Sequence, residues 1–531
     1  NVLKLDDLTK ISKLLKKNAA FKHNGTGLPT AMAPHSKFIA VGTSHSLVIV
    51  FDHFQEVRVV LGVMENSEDG AVTSVDFPEK SDEHLVSGYQ SGKIVLWDIL
   101  SGKELKVIVD AHSCPIIGLR FWPGKRGALS LVSLDIQGRI NLLTFGKRLF
   151  TWTVDRQCLI NERTGAKVSM GILPSPPKEV VGSIPQAKVA SFRAAFELLV
   201  FTSHSATFIV ALHPEPTVLK QWTAPSKASQ EHLPCLAVSW AEVVVEDSDV
   251  SNRNKQPVIC RGWDRWIECM TIGLQRINDG SQESRLRIVQ RFVTDLPVVH
   301  VEWVDARNVV YMNIENYVCI LDVVNGVELE AVDLSGSSLV YGSLPRKSNQ
   351  EEADGSKPKP APSFLNTIRC CDSRLYFLGC NDLSVGRMQS WIERVRALQG
   401  SGQWIDALLL GLEQYRSCDD KSTGQSPSSS DDLIVADLLM EYVDISLGND
   451  QGTADSDARG PYRIVAEVCL DYCTSIKRDD LLFGPIYNRF IAMKHEQVFL
   501  EVMEPYILAD RLQHVPATVM KDFVSYFQSL H

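Results

Sequence analysis

Over the first three quarters of the chain, apolar residues come in two short, nearly unbroken runs separated by a polar turn, and the unit repeats. It reads VGTSHSLVIVFD at Val41–Asp52, VSGYQSGKIVLWD at Val86–Asp98 and LVSLDIQGRINLLTF at Leu131–Phe145. Weaker copies lie at Leu199–Leu212, Val258–Ile272, Val309–Asp322 and Leu375–Met388, which makes seven. Gly42 and Gly88 are 46 residues apart, and so are Gly88 and Leu134. Continuous apolar runs of this length predict strands packed on both faces. A period near 45 residues, with four strands per unit, predicts an all-β region built as a seven-bladed β-propeller.

The first unit is predicted as strands at 28–35, 37–43, 47–53 and 56–62, the second at 71–77, 83–89, 93–99 and 104–112. Later blades fall at 116–158, 180–222, 232–293, 296–333 and 338–388. Trp97-Asp98 is the WD dipeptide of such repeats, and Asp110-Ala111-His112 stands where a Gly-His element leads into the next blade. Strand at 1–13, within an N-terminal segment 1–27, is expected to supply the missing edge of the terminal blade and close the ring. The propeller then spans 1–388. Polar segments at 242–257 and 345–363 read as rim loops.

After Met388 the period changes. Residues 390–415 carry apolar positions at 391, 392, 395, 398, 404, 405, 408, 409 and 412, a helical spacing with Gly400-Ser401-Gly402 as the turn. Further amphipathic stretches lie at 432–447, 461–476 and 480–494 and run to the end of the chain. Residues 389–531 therefore read as an all-α unit of stacked helical hairpins, the start of an α-solenoid, with 417–432 as a low-complexity, disordered loop.

Charge and cysteine content narrow the partners. The chain has 531 residues, 44% hydrophobic and 22% charged, with a net charge of −10. That balance argues against a nucleic-acid binder. Twelve cysteines are scattered without a C-x-x-C pair, which suggests a reducing compartment rather than a zinc module. Cys469 and Cys473, at i and i+4, read as buried apolar positions on one helix. No apolar run is long enough to span a membrane.

Chemistry is hard to find. Gly88–Ile94 resembles a phosphate loop, but it has one residue too few between its glycines and joins two strands; it reads as a β-turn. Thr43-Ser44-His45-Ser46 and Thr202-Ser203-His204-Ser205 occupy equivalent turns and read as turn chemistry, not as a nucleophile with its base. No catalytic residue, cofactor or metal ligand set is predicted. Two places suit contact with a partner. One is the turn Trp263-Asp264-Arg265-Trp266, where Trp263, Arg265 and Trp266, with Arg261, would expose aromatic and basic groups. The other is the hairpin carrying Trp391 and Trp404. Lys10, Lys13, Lys16, Lys17 and Lys22 form a basic run suited to a solvated face or an anionic surface.

The segments PTAMAPHSKFIAVGTSHSLVIVFDHFQEVRVVLG (29–62), SGYQSGKIVLWDILSGKELKVIVDAH (87–112) and SWIERVRALQGSGQWIDALLLGLEQY (390–415) together resemble the vacuolar protein sorting-associated protein 8 family. The likeness is strongest in the first two blades and the first helical hairpin and faint from 160 to 300. It implies a non-enzymatic subunit of the CORVET endosomal tethering complex. Its expected partners are an early-endosomal Rab GTPase in the GTP form, other subunits of a class C tethering complex and, peripherally, the endosomal membrane. The expected location is cytoplasmic, on early endosomes, promoting tethering and fusion in protein transport. The alternative is a related propeller–solenoid scaffold of another tether or vesicle coat. Members carry a longer solenoid and a zinc-binding C-terminal domain, so the chain reads as an N-terminal fragment.

Overall fold

The structure, a computed structural model, describes residues 2–20, 25–63, 67–79, 81–122, 129–148, 151–161, 167–182, 186, 196–203, 205–212, 215–223, 233–243, 254–276, 282–340, 366–419, 429–448, 459–512 and 514–530. The chain divides into two units. One covers the described residues up to Met388; the other begins at Gln389.

The first unit opens with strand β1 (Leu3–Asp7) and helix α1 (Thr9–Ala20). Among the described residues, seven four-stranded antiparallel sheets account for all 28 strands. The first strand of each sheet touches that of the next: β2 (Pro29–Pro34), β6 (Val72–Asp76), β10 (Ile116–Trp122), β14 (Lys167–Ile172), β18 (Cys235–Val243), β22 (Val298–Trp303), β26 (Ile368–Cys371) and back to β2. That closed circuit is a seven-bladed propeller with its inner strands around a central channel. Both middle strands of the first blade, β3 (Phe38–Thr43) and β4 (Val48–Asp52), are buried almost throughout, while the outer strand β5 (Val57–Leu61) is largely exposed. Neighbouring blades cover both faces of the middle strands, which is why alternation is absent there.

The repeated glycine marks the closest approach between blades. A Cβ on Gly42 would lie 2.5 Å from Val72 Cγ1, and one on Gly88 2.8 Å from Ile116 Cγ2. Each glycine thus receives the first residues of the next inner strand. A register shift recurs near the start of five inner strands, between Pro29 and Ala31, Val72 and Ser74, Ile116 and Gly118, Lys167 and Ser169, and Val298 and His300. Such bulges increase local twist, which a blade needs to fan outward from the axis.

The terminal blade is completed by the N-terminus. β1 pairs antiparallel with β28 (Leu383–Met388), from Leu3 opposite Met388 to Asp7 opposite Ser384. The backbone N–H groups of Val2 and Leu3 donate to Glu330 Oε2 of the sixth blade at 2.6 and 2.8 Å. Expecting strand over 1–13 overextended it: residues from Thr9 onward are helical. Ile11, Leu15 and Asn18 return at helical spacing and are buried. Ser12 Oγ donates to Asp7 Oδ1 (2.5 Å) and accepts from Leu383 N (3.1 Å), fixing the strand-to-helix corner. Ile11 and Leu15 pack with Met32, Ile39 and Phe51 of the first blade and Leu378 and Leu383 of the last.

Two other boundaries differ from the sequence reading. The fourth blade begins at Lys167, upstream of the predicted 180, and short helix α2 (Lys178–Gly182) lies in the connection to its second strand. In the seventh blade the polar segment precedes the hairpin: β26 starts at Ile368, and 345–363 lies outside the described residues. Of the segment 242–257, strand covers 242–243 and 254–257.

The second unit is helical: α3 (Trp391–Gly400), α4 (Trp404–Asp419), α5 (Ser429–Gly448), α6 (Arg459–Ile476), α7 (Asp479–Leu481), a π-helical turn (Leu482–Ile486) running into α8 (Tyr487–Ala492), α9 (Glu496–Leu508) and α10 (Ala517–Leu530). Ser390 caps α3 reciprocally with Glu393, at 3.2 and 2.9 Å. α3 packs on α4, α4 on α5 and α6, and α6 on α9. The segment expected as disordered, 417–432, is helical at both ends, to Asp419 and from Ser429; 420–428 lies outside the described residues. Cys469 and Cys473 are both buried in the helical core.

Candidate functional site

The turn expected to form an aromatic–basic contact connects β19 (Asn254–Trp263) to β20 (Trp266–Arg276) in the fifth blade. Its two tryptophans face each other across the ladder but differ in environment. Trp263 is 1% exposed, among the largest fully buried side chains, so the expectation that it contacts a partner is corrected. It follows Gly262 at the blade interface, where the strand faces the sixth blade's Val298 and Val301. Trp266 is half-buried and Arg265 exposed, so of the expected contact residues in the turn those two are accessible.

Arg261 is likewise buried. Its Nε and Nη2 donate to Glu268 Oε2 at 2.9 and 2.6 Å, and its guanidinium lies 3.3 Å from the ring centre of Trp222 in the fourth blade. Arg291 closes on the other carboxylate oxygen of Glu268, at 2.8–2.9 Å. Burial pulls the Arg261 guanidinium below its ordinary value, against the raising effect of Glu268. The buried Arg261–Glu268 pair joins two blades, while Arg291 closes it from a half-exposed position.

Trp391 and Trp404 are half-buried and pack against the helical core. Beside them, Ile405 and Leu409 are 43% and 54% exposed, one turn apart on α4. In the sequence these two count only among the apolar positions at helical spacing. Phe54 and Leu100, 77% and 76% exposed, were also missed. Both stand two residues after the aspartate that ends a blade's third strand (Asp52, Asp98), a shared register that could have singled them out.

Buried polar networks resemble chemistry without offering it. His112 Nδ1 lies 2.8 Å from Asp135 Oδ2 and its Nε2 2.7 Å from Ser133 Oγ, with Asn141 Nδ2 3.2 Å away. The order matches a hydrolase triad, yet the His112 and Asp135 side chains are 0% and 3% exposed. No acyl group could reach the serine, and the network braces the second blade's exit against the third. In the TSHS turn, Ser44 Oγ accepts from Leu28 N and Ser46 Oγ donates to the Gly70 carbonyl; these are turn and inter-blade contacts. His204 of the second copy lies outside the described residues.

In the channel, Arg369 Nη2 pairs with Asp76 Oδ1 at 3.0 Å, and Asp76 Oδ2 accepts from Phe121 N at 2.8 Å. Asn366 reaches the carbonyls of Thr73 and Ile117 at 2.8 and 3.0 Å, tying the seventh blade to the second and third. Loss of water around Arg120, with Arg369 nearby, pulls its guanidinium down to about 10, while Asp76 and Glu302 oppose the shift. The Arg369–Asp76 pair thus staples the seventh blade's inner strand to the second's. Among the described residues, no group of three or more His, Cys, Asp or Glu side chains could hold a metal ion. No helix of the described residues is long and apolar enough to cross a membrane.

Comparison with known proteins decides what this scaffold is. A family model described as the Vps8 beta-propeller matches residues 1–387. The chain belongs to the Vps8 beta-propeller family. Curated members named vacuolar protein sorting-associated protein 8 homolog include those of Mus musculus and Homo sapiens. Each is 29% identical, and each match covers 94% of this chain and 34% of the relative. The Drosophila melanogaster homolog is 23% identical over 92% of this chain and 37% of its own length. The chain therefore spans about a third of the length of the Vps8 relatives it matches. Among solved structures, the Cps50 (Swd1) β-propeller domain of Myceliophteria thermophila matches at a TM-score of 0.45 and 13% identity, over 68% of this chain and 96% of that one.

Proposed function

We propose that the protein is a subunit of a multisubunit tethering complex in endosomal and vacuolar protein sorting, and that it binds an early-endosomal Rab GTPase in the GTP form. Similarity to Vps8 homologs along 94% of the chain carries this reading. It acts from the cytoplasm, peripherally on early endosome membranes, with other subunits of a class C complex as neighbours. The fold suits the role: a closed ring of blades, whose remaining outer edges are short, holds its surface loops rigidly. A GTP-dependent partner orders its switch loops only in one nucleotide state, and a preformed surface can select that state by shape. Arg265 and Trp266 on the fifth blade are the proposed contact on the propeller. Trp391 and Trp404, with the exposed Ile405 and Leu409, are the proposed contact on the helical unit. The test is capture of the 531-residue protein by a panel of Rab GTPases loaded with a GTP analogue or GDP. Selective capture by an early-endosomal Rab in the GTP state is expected; failure of every endosomal Rab would refute the Rab contact.

A further inference from the structure

Helix α1 carries Lys10, Lys13, Lys16 and Lys17 and no acidic residue. At about 100° per residue, the four lysines fall within an arc of about 120°. That arc lies opposite Ile11, Leu15 and Asn18, the side buried in the seam between the first and seventh blades. Lys13, Lys16 and Lys17 are exposed, and no ion pair engages them among the described residues. Lys10 anchors the near end of the stripe. Its backbone N–H donates to Gln55 Oε1 at 2.9 Å, and its ammonium pairs with Glu56 and donates to the Phe54 carbonyl at 3.3 Å. The lysine stripe therefore begins beside Phe54, which is 77% exposed. The chain as a whole carries −10, so this local excess of uncompensated cations runs against the protein's net charge.

We infer that the solvent face of α1, together with Phe54, is a docking surface for an anionic phospholipid bilayer. Charge complementarity selects that occupant. Screening limits the reach of charge to about 8 Å at physiological salt, so a bilayer at contact distance responds to the local stripe rather than to the acidic body. Each lysine near an anionic leaflet raises partitioning about fivefold, and an exposed phenylalanine beside them adds apolar area that buries at the headgroup–acyl boundary. Burial of the opposite face in the propeller seam keeps α1 from inserting deeply, so the helix lies flat on the headgroups. This inference stands on the seam geometry and does not depend on Rab binding.

The test is flotation of the 531-residue protein with phosphatidylcholine vesicles containing about 30 mol% phosphatidylserine, against phosphatidylcholine alone. Binding to the anionic vesicles is expected, and it should weaken steeply as salt rises. The triple variant K13E/K16E/K17E should lose at least about 100-fold in partitioning, from about fivefold for each of three lysines. Phe54→Ser should give a smaller loss that salt does not alter. Because these side chains are exposed, the melting curves of the variants should match the parent. Equal flotation with both vesicle types, or unchanged binding by the triple variant, would overturn the inference. So would a triple variant that keeps its vesicle binding but loses a protein partner, since the stripe would then be a protein contact. Capture of a GTP-bound Rab in the absence of lipid should be unaffected, which separates failure here from failure of the tethering proposal.

Discussion

Replacing Gly42 by alanine puts a methyl group where the first and second blades meet. The new Cβ would lie 2.5 Å from Val72 Cγ1, 2.9 Å from Val72 Cβ and 3.3 Å from Val75 Cγ2. Val72 and Val75 are each 0% exposed, so neither can swing into solvent. Overpacking a filled core by one methyl costs about 1–3 kcal/mol, and a contact this short belongs at the upper end. Val72→Ala alone leaves a cavity and costs about 2–3 kcal/mol. In the double variant the worst clash disappears and the cavity is partly refilled, while the contact with the Cβ of residue 72 persists. The two changes should therefore couple by about 1–2 kcal/mol, leaving the double variant well short of the sum. Urea denaturation followed by tryptophan fluorescence reads the propeller, since eight of the ten tryptophans precede residue 389. Gly400→Ala is the control, because a Cβ there meets nothing within 4 Å. Additivity within about 0.5 kcal/mol, or a neutral Gly42→Ala, would refute the argument that this glycine exists for blade-to-blade contact.

Trp263→Ala should destabilise the propeller by about 3–5 kcal/mol. Arg265→Glu with Trp266→Ala should leave the melt nearly unchanged and lower Rab capture at least about tenfold; the reverse pattern would place the contact elsewhere. Glu268→Gln should cost about 3 kcal/mol or more in a denaturant melt, because it leaves the buried Arg261 charge uncompensated. A double change of Arg261 and Glu268 to apolar residues of similar size should cost less. Burial holds the pKa of His35 and of His84 below the ordinary histidine value, against the raising effect of Asp82 on His35. The unfolded chain therefore binds these protons first as pH falls. Stability should be flat above about pH 7 and decline through the window beneath about 6.5. Changing both histidines to glutamine should flatten that decline in melts compared at pH 7.5 and about 5.5.

Much of the ring is legible in the chain because its signals are local and repeated. Glycine spacing, paired apolar runs and the WD dipeptide each report a short-range requirement of one blade, and the change to helical spacing after Met388 is equally local. The fourth blade was misplaced because its inner strand stands apart from its hairpin, with α2 and a long connection between them. Helix α1 was masked by its lysines, which fill the positions between Ile11, Leu15 and Asn18 and blur the buried stripe.

Side-chain exposure at the candidate contacts belongs to another level. Trp263 and Trp266 stand three residues apart in one turn, with similar chemistry and similar flanks. Only the neighbouring blade decides that the first is core and the second half-accessible. The same holds for Arg261, whose partners include Trp222 from another blade. It holds again for Phe54 and the lysines of α1, brought together by the backbone contact of Lys10 with residues more than forty positions away. Residue order dictates which strands and helices form, since those depend on neighbours within a few positions. Which side chains remain for a partner depends on what the closed ring buries, and closure is a property of all seven blades at once.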